Sequence, residues 1–111
     1  MDSRFTLGTF DLMILLALMR LGDAAYGVPI SREIEETSGR VVALATLYAT
    51  LTRLEKRGLV SSRLGEPTAE RGGRAKRYFR VTAKGLRDVR DAQRVFTSLW
   101  NGIPKLKGGV V

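Results

Sequence analysis

A chain of 111 residues with 44% hydrophobic side chains suits one folded domain with a single modest core, which excludes a disordered chain. It has no cysteine and no histidine, so a disulfide framework, thiolate chemistry, a Ser-His-Asp or Cys-His site and the commonest zinc ligand are all ruled out, and neither cofactor nor metal is expected. A net charge of +8 favours an anionic partner, with nucleic acid first and an acidic membrane surface second.

That charge is unevenly placed. Residues 1–52 hold four basic and six acidic side chains, whereas residues 53–80 hold nine basic and three acidic ones. Concentration in one segment favours a binding face over general solubility. Glu33, Glu35 and Glu36 are the tightest carboxylate group, but neighbours on a helix point in different directions, so they read as a solvated face and an enzyme is not expected. The first residues, Met1-Asp2-Ser3-Arg4, do not resemble a signal peptide. The longest apolar run, Leu12 to Met19, has eight residues, too few to cross a bilayer. A cytoplasmic protein is expected.

Residues 9–21 read as a first helix, with Thr9 as N-cap, Asp11 at the positive end of the helix dipole and Gly22 as the stop. Ten of the twelve residues from Phe10 to Leu21 are apolar. A helix that is apolar nearly all round needs cover on both sides, and a second subunit would supply it. A second helix begins at Tyr26-Gly27, tolerates Pro29 in its first turn, carries Ile30 and Ile34 on one face and ends near Gly39. The spacing predicts a third helix over 44–58, closed by Gly58, with Leu44, Leu47, Leu51 and Leu54 facing the core. Its other face holds Ala45, Ala49, Thr52, Arg53 and Lys56, with Thr46 and Arg57 on the edge and Tyr48 and Thr50 on the flanks. Two strand candidates follow, Leu59 to Leu64 and Lys76 to Val81, joined by a turn-rich stretch whose tip is Glu70-Arg71-Gly72-Gly73-Arg74. Thr82 then caps a last helix, about 83–100, striped by Leu86, Val89, Phe96, Leu99 and Trp100.

The expected fold is mainly α with a small β-hairpin (α+β). It is a winged helix-turn-helix in the order α-α-α-β-wing-β-α, divided into a winged-helix DNA-binding domain over 1–82, a dimerisation helix over 83–100 and a loose tail over 101–111. A recognition helix in the major groove meets a code of donors and acceptors. Ala45, Ala49 and Thr52 offer a face without bulk or acid, and Arg53 has the fork that takes guanine bidentately. Thr46, Tyr48, Lys56 and Arg57 suit phosphates at the edges, with Lys76 at the base of the hairpin. At the tip, Gly72 allows close backbone approach while Arg71 and Arg74 suit a narrow minor groove. Arg53 and Lys56 also fit as ordinary solvated residues, and Tyr48 as a half-buried packing residue.

These residues resemble the PadR family of bacterial regulators. Tyr26-Gly27 followed by Ile30 and Ile34 looks like its second-helix signature. Residues 46–60, from Thr46-Leu47-Tyr48-Ala49 to Gly58-Leu59-Val60, are similar to its central T-L-Y-P-x-L-x-R-L-E-x-x-G-L pattern. Arg74 to Thr82, with Tyr78 and Gly85, looks like its hairpin stretch. Ala49 departs from the pattern, standing where the family often has proline; a helix interior tolerates alanine better. The resemblance implies a homodimeric repressor whose last helix packs on the partner's first, through Phe10, Met13, Leu86, Val89, Phe96 and Trp100. It also implies a planar aromatic or cationic effector, bordered here by Met13, Phe96 and Trp100. A non-specific nucleoid-type binder and a protein-binding winged-helix adaptor stand as alternatives.

Overall fold

The computed structural model describes residues 7–66 and 75–105. The chain runs through α1 (Thr9–Leu21), a 3-10 turn (Gly22–Ala24), α2 (Gly27–Ser38), α3 (Leu44–Lys56), β1 (Val60–Leu64), β2 (Arg77–Val81) and α4 (Ala83–Asn101). Mainly helical with one antiparallel hairpin, it has the α+β class and element order read from the sequence. The expected wing-tip residues Arg71, Gly72 and Arg74, and the tail beyond residue 105, lie outside the described residues.

Local chemistry accounts for the boundaries. Gly8, not Thr9, is the N-cap of α1; Thr9 is the first helical residue, and no side chain caps this end. Asp11 in the first turn supplies the negative charge that the helix dipole favours. The end of α3 is a Schellman motif. Gly58 takes φ +80°, its N–H donates to the Glu55 carbonyl at 2.9 Å, and the Leu59 N–H donates back to the Leu54 carbonyl at 3.0 Å. Leu54 and Leu59, the two apolar ends of that motif, are both buried. A side chain at position 58 would sit in the left-handed region, so glycine is required there.

The core is the seam where the helices meet the hairpin. Ile14, Leu15 and Leu18 from α1, Ile30 and Ile34 from α2, Leu47, Leu51 and Leu54 from α3, and Leu59, Val60, Phe79 and Val89 form one cluster. The expected core face of α3 needs one correction. Leu44 is 43% exposed, because it stands in the leading turn of α3 and opens onto a cleft beside Val28 and Tyr48. Thr50 is buried instead, its hydroxyl donating to the Thr46 carbonyl one turn back at 2.9 Å. The hairpin pairs Val60 with Val81 and Leu64 with Arg77 at its two ends. Its second strand, β2, is tied to the start of the helix-turn-helix by the Phe79 N–H donating to the Ala25 carbonyl at 2.9 Å.

The first turn of α4 is clasped to the end of α3. The Thr82 hydroxyl donates to the Gly58 carbonyl at 2.6 Å and accepts from the Gly85 N–H at 3.1 Å, while the Lys84 ammonium donates to the Arg57 carbonyl at 3.0 Å. Gly85 is pressed against this joint. A methyl group there would overlap the Leu59 carbonyl oxygen and come within 2.8 Å of Val81 Cγ1. Backbone cannot swing aside as a side-chain tip can. Gly85→Ala is therefore expected to destabilise the fold by about 1–3 kcal/mol, read by denaturant titration. An unchanged midpoint would mean that α4 is not seated as described.

Candidate nucleic-acid interface

α3 reaches the surface as the sequence pattern anticipates. Ala45, Thr46, Tyr48, Ala49, Thr52, Arg53 and Lys56 are exposed, while Arg57 is half-buried at the C-terminal end. The side chains nearest the start of the helix are small or hydroxylated. The long cations come in its last turn, where Arg53 and Lys56 also suit the negative end of the dipole. Glu55 is turned toward the hairpin and accepts from the Ser62 hydroxyl at 2.9 Å. Arg77 donates to that same hydroxyl at 3.0 Å, which sets a cation beside the carboxylate.

Between α3 and the hairpin lies a cleft of about 880 Å³, lined among others by Tyr26, Val28, Leu44, Tyr48, Thr52, Lys76 and Phe79. Aromatic contacts set its walls. Tyr48 lies 6.2 Å from Phe79 between ring centroids, and Tyr26 meets Tyr78 edge-on at 5.5 Å. The Lys76 ammonium sits 4.6 Å above the Tyr26 ring, and the Arg63 guanidinium 4.7 Å above the Tyr78 ring. Gly27 makes room for this wall, since a Cβ there would collide with the Tyr48 hydroxyl. Tyr48 thus serves packing and surface together: its ring braces Phe79 and Gly27 while 39% of the residue stays exposed.

Arg53 is not a free cation. One of its Nη atoms donates to Asp11 Oδ1 at 2.7 Å, and Arg57 approaches Asp11 Oδ2 at 3.5 Å. Asp11 itself is buried. Sequence reasoning missed this link because the partners are 42 positions apart. The available signal was one acid inside an otherwise apolar helix. The cleft residues Tyr26, Val28 and Leu44 were missed as well, because their role depends on where the hairpin folds back.

Between α1 and α2 lies a small groove of about 120 Å³, lined among others by Met13, Leu16, Ala17 and Ile34. At its rim Arg20 donates to Glu33 at 2.6 Å. That guanidinium first, and the Thr37 hydroxyl second, hold the Glu33 carboxyl below the ordinary carboxylate range. Whatever this exposed pair adds to stability is present at neutral pH and lost as pH falls through the lowered value. Of the residues expected at a subunit interface, Phe96 and Trp100 are exposed and adjacent, 6.2 Å between ring centroids. Phe10, Met13 and Leu86 are half-buried, and Val89 is taken up by the chain's own core. Among the described residues no cluster of side chains suits a metal ion, and no helix is long and apolar enough to cross a membrane.

A helix-turn-helix whose second helix is exposed, followed at once by a hairpin that leans over it, defines a winged-helix protein. Residues 15–91 match the model of the transcriptional regulator PadR-like family, and the chain belongs to that family. It is similar to a transcriptional regulator from Clostridium thermocellum, at 30% identity and a TM-score of 0.67, with 87% of this chain and 91% of that one covered. A PadR family regulator from Eggerthella lenta is 27% identical with a TM-score of 0.66, over 88% of this chain and 83% of that one. A PadR family regulator from Clostridium difficile shares the fold at 22% identity and a TM-score of 0.72, over 91% of this chain and all 100% of the other. No curated protein sequence matches the chain.

Proposed function

We infer that this regulator is a sequence-specific DNA-binding repressor that works as a homodimer on a palindromic operator. The observation that carries the reading is the surface of α3: Ala45, Thr46, Ala49 and Thr52 face outward without bulk or charge, and Arg53 and Lys56 follow on the same exposed helix. Small side chains let the helix backbone approach base edges, and cations at the margin meet phosphates. Ala45, Ala49, Thr52 and Arg53 form the proposed reading surface, with Thr46 and Tyr48 at its edges on phosphates. Lys56, Arg57 and Lys76 form the proposed phosphate anchors, with Arg71, Gly72 and Arg74 of the hairpin tip reaching the minor groove.

Two copies related by a two-fold axis put two α3 helices in major grooves about 10 bp apart, or a small multiple of that. Occupancy of a promoter then excludes polymerase. A planar aromatic or cationic effector held by Met13, Phe96 and Trp100 would favour one dimer geometry over another and so change the half-site spacing that fits. Neither cofactor nor catalysis is part of this account.

Selection from a random duplex library tests the reading. The expected winner is a palindrome whose half-sites obey that spacing. Enrichment of no sequence, with retention of all duplexes, would indicate a charge-driven nucleoid-type binder. Retention of none would indicate a protein-binding adaptor.

A further inference from the structure

Asp11 is the one acid of α1, is 7% exposed, and lies in a helix whose other buried residues are all apolar. A carboxylate so placed is costly unless it is paired. Its partners are both at the far end of α3: Arg53 at 2.7 Å and Arg57 at 3.5 Å. The Arg53 side chain nevertheless remains 55% exposed. One Nη is engaged by Asp11, and the rest of the guanidinium has no protein partner among the described residues. Arginine carries five N–H donors in a rigid fork, so holding one edge leaves the other available.

An unheld arginine loses rotamer freedom when it docks on a base, whereas one already held has lost that freedom before DNA arrives. The carboxylate also fixes where the free edge lies, and base discrimination depends on that geometry. We propose that Asp11 is a positioning residue for DNA discrimination, holding Arg53 in the rotamer that presents its free guanidinium edge from the surface of α3. The proposal rests on α3 being the DNA-reading helix. It differs from a purely structural bridge in what it requires of Arg53. A structural bridge needs only a cation, whereas a positioned reader needs the fork.

The experiment measures affinity for the selected duplex and for a scrambled one, with melting temperature, in the parent chain, Asp11→Asn, Arg53→Lys, Arg53→Ala and the double variant Asp11→Asn with Arg53→Ala. Asp11→Asn is expected to lower the ratio of the two affinities about tenfold, within the range of one bidentate base contact, while leaving scrambled-duplex affinity equal or slightly higher. Arg53→Lys keeps a cation for Asp11 and so keeps the melting temperature, yet should lose discrimination to a similar degree. Adding Asp11→Asn to Arg53→Ala should change the ratio no further. The proposal is overturned if Asp11→Asn raises the ratio, which would make Asp11 a brake that competes with DNA for Arg53. It is equally overturned if Arg53→Lys discriminates like the parent, or if the effect of Asp11→Asn persists without Arg53. A parent chain that does not distinguish the two duplexes contradicts the functional reading itself, and the positioning role falls with it.

Discussion

Glutamate in place of both Phe96 and Trp100 is expected to yield a folded monomer that binds a two-half-site duplex about 10²–10⁴-fold more weakly than the parent chain. Phe96, Leu99 and Trp100 are 48%, 63% and 58% exposed, at spacings of three and four residues along α4, and Ile103 just beyond its end is 42% exposed. That spacing is one face of a helix. Single exposed apolar residues are ordinary, but a contiguous stripe marks a surface that meets something. The chain's own core takes only the first half of α4, through Gly85, Val89 and Ala92. α1 also leaves Leu16 and Met19 exposed, at 42% and 45%, and the proposed dimer would cover such apolar side chains. Because neither substituted side chain is buried, the variant should keep its helical content and its melting cooperativity. Weakening comes from losing the second half-site, whose binding is intramolecular only when the subunits are joined. Sedimentation equilibrium and fluorescence anisotropy on the same sample read both effects. A variant that stays dimeric would place the subunit contact elsewhere.

Leu51→Ala should remove about 2–5 kcal/mol of stability, the cost of emptying a fully enclosed leucine site. Leu51 is 0% exposed and sits between Leu47 and Leu54, also 0% exposed, on the buried face of α3. A 13-residue helix is marginal in water by itself. What presents Ala49 and Thr52 outward is therefore the anchoring of the opposite face. Denaturant titration at a single protein concentration is the suitable measurement, since association adds to apparent stability. A loss under about 1 kcal/mol, typical of a surface site, would contradict the core described here.

Much of this architecture is legible from local pattern. Helix ends carry their own chemistry, so Gly22, Gly39 and Gly58, all with positive φ, mark three stops wherever the rest of the chain goes. The Thr82 cap likewise depends only on Gly85 three residues on. The apolar spacing of Leu47, Leu51 and Leu54 identifies the buried face of α3, and with it the exposed one. Periodicity fails where an element outruns the layer it packs on. Leu44 continues the stripe but reaches the cleft, and Phe96 and Trp100 continue the α4 stripe beyond the chain's own core. Long-range polar pairing leaves no periodic trace at all. Nothing near Arg53 in the sequence announces Asp11, and nothing near Lys76 announces the Tyr26 ring. Those links follow only once the α1 helix crosses α3 and the hairpin folds back on the start of α2.

Whether α3 reads a DNA sequence is decided by the ratio of affinities for the selected duplex and a scrambled control in the same buffer, at two salt concentrations. Preference for the selected duplex of at least ~10³-fold is the predicted result. Equal affinities that fall together as salt rises would contradict it, since phosphate neutralisation alone produces that behaviour.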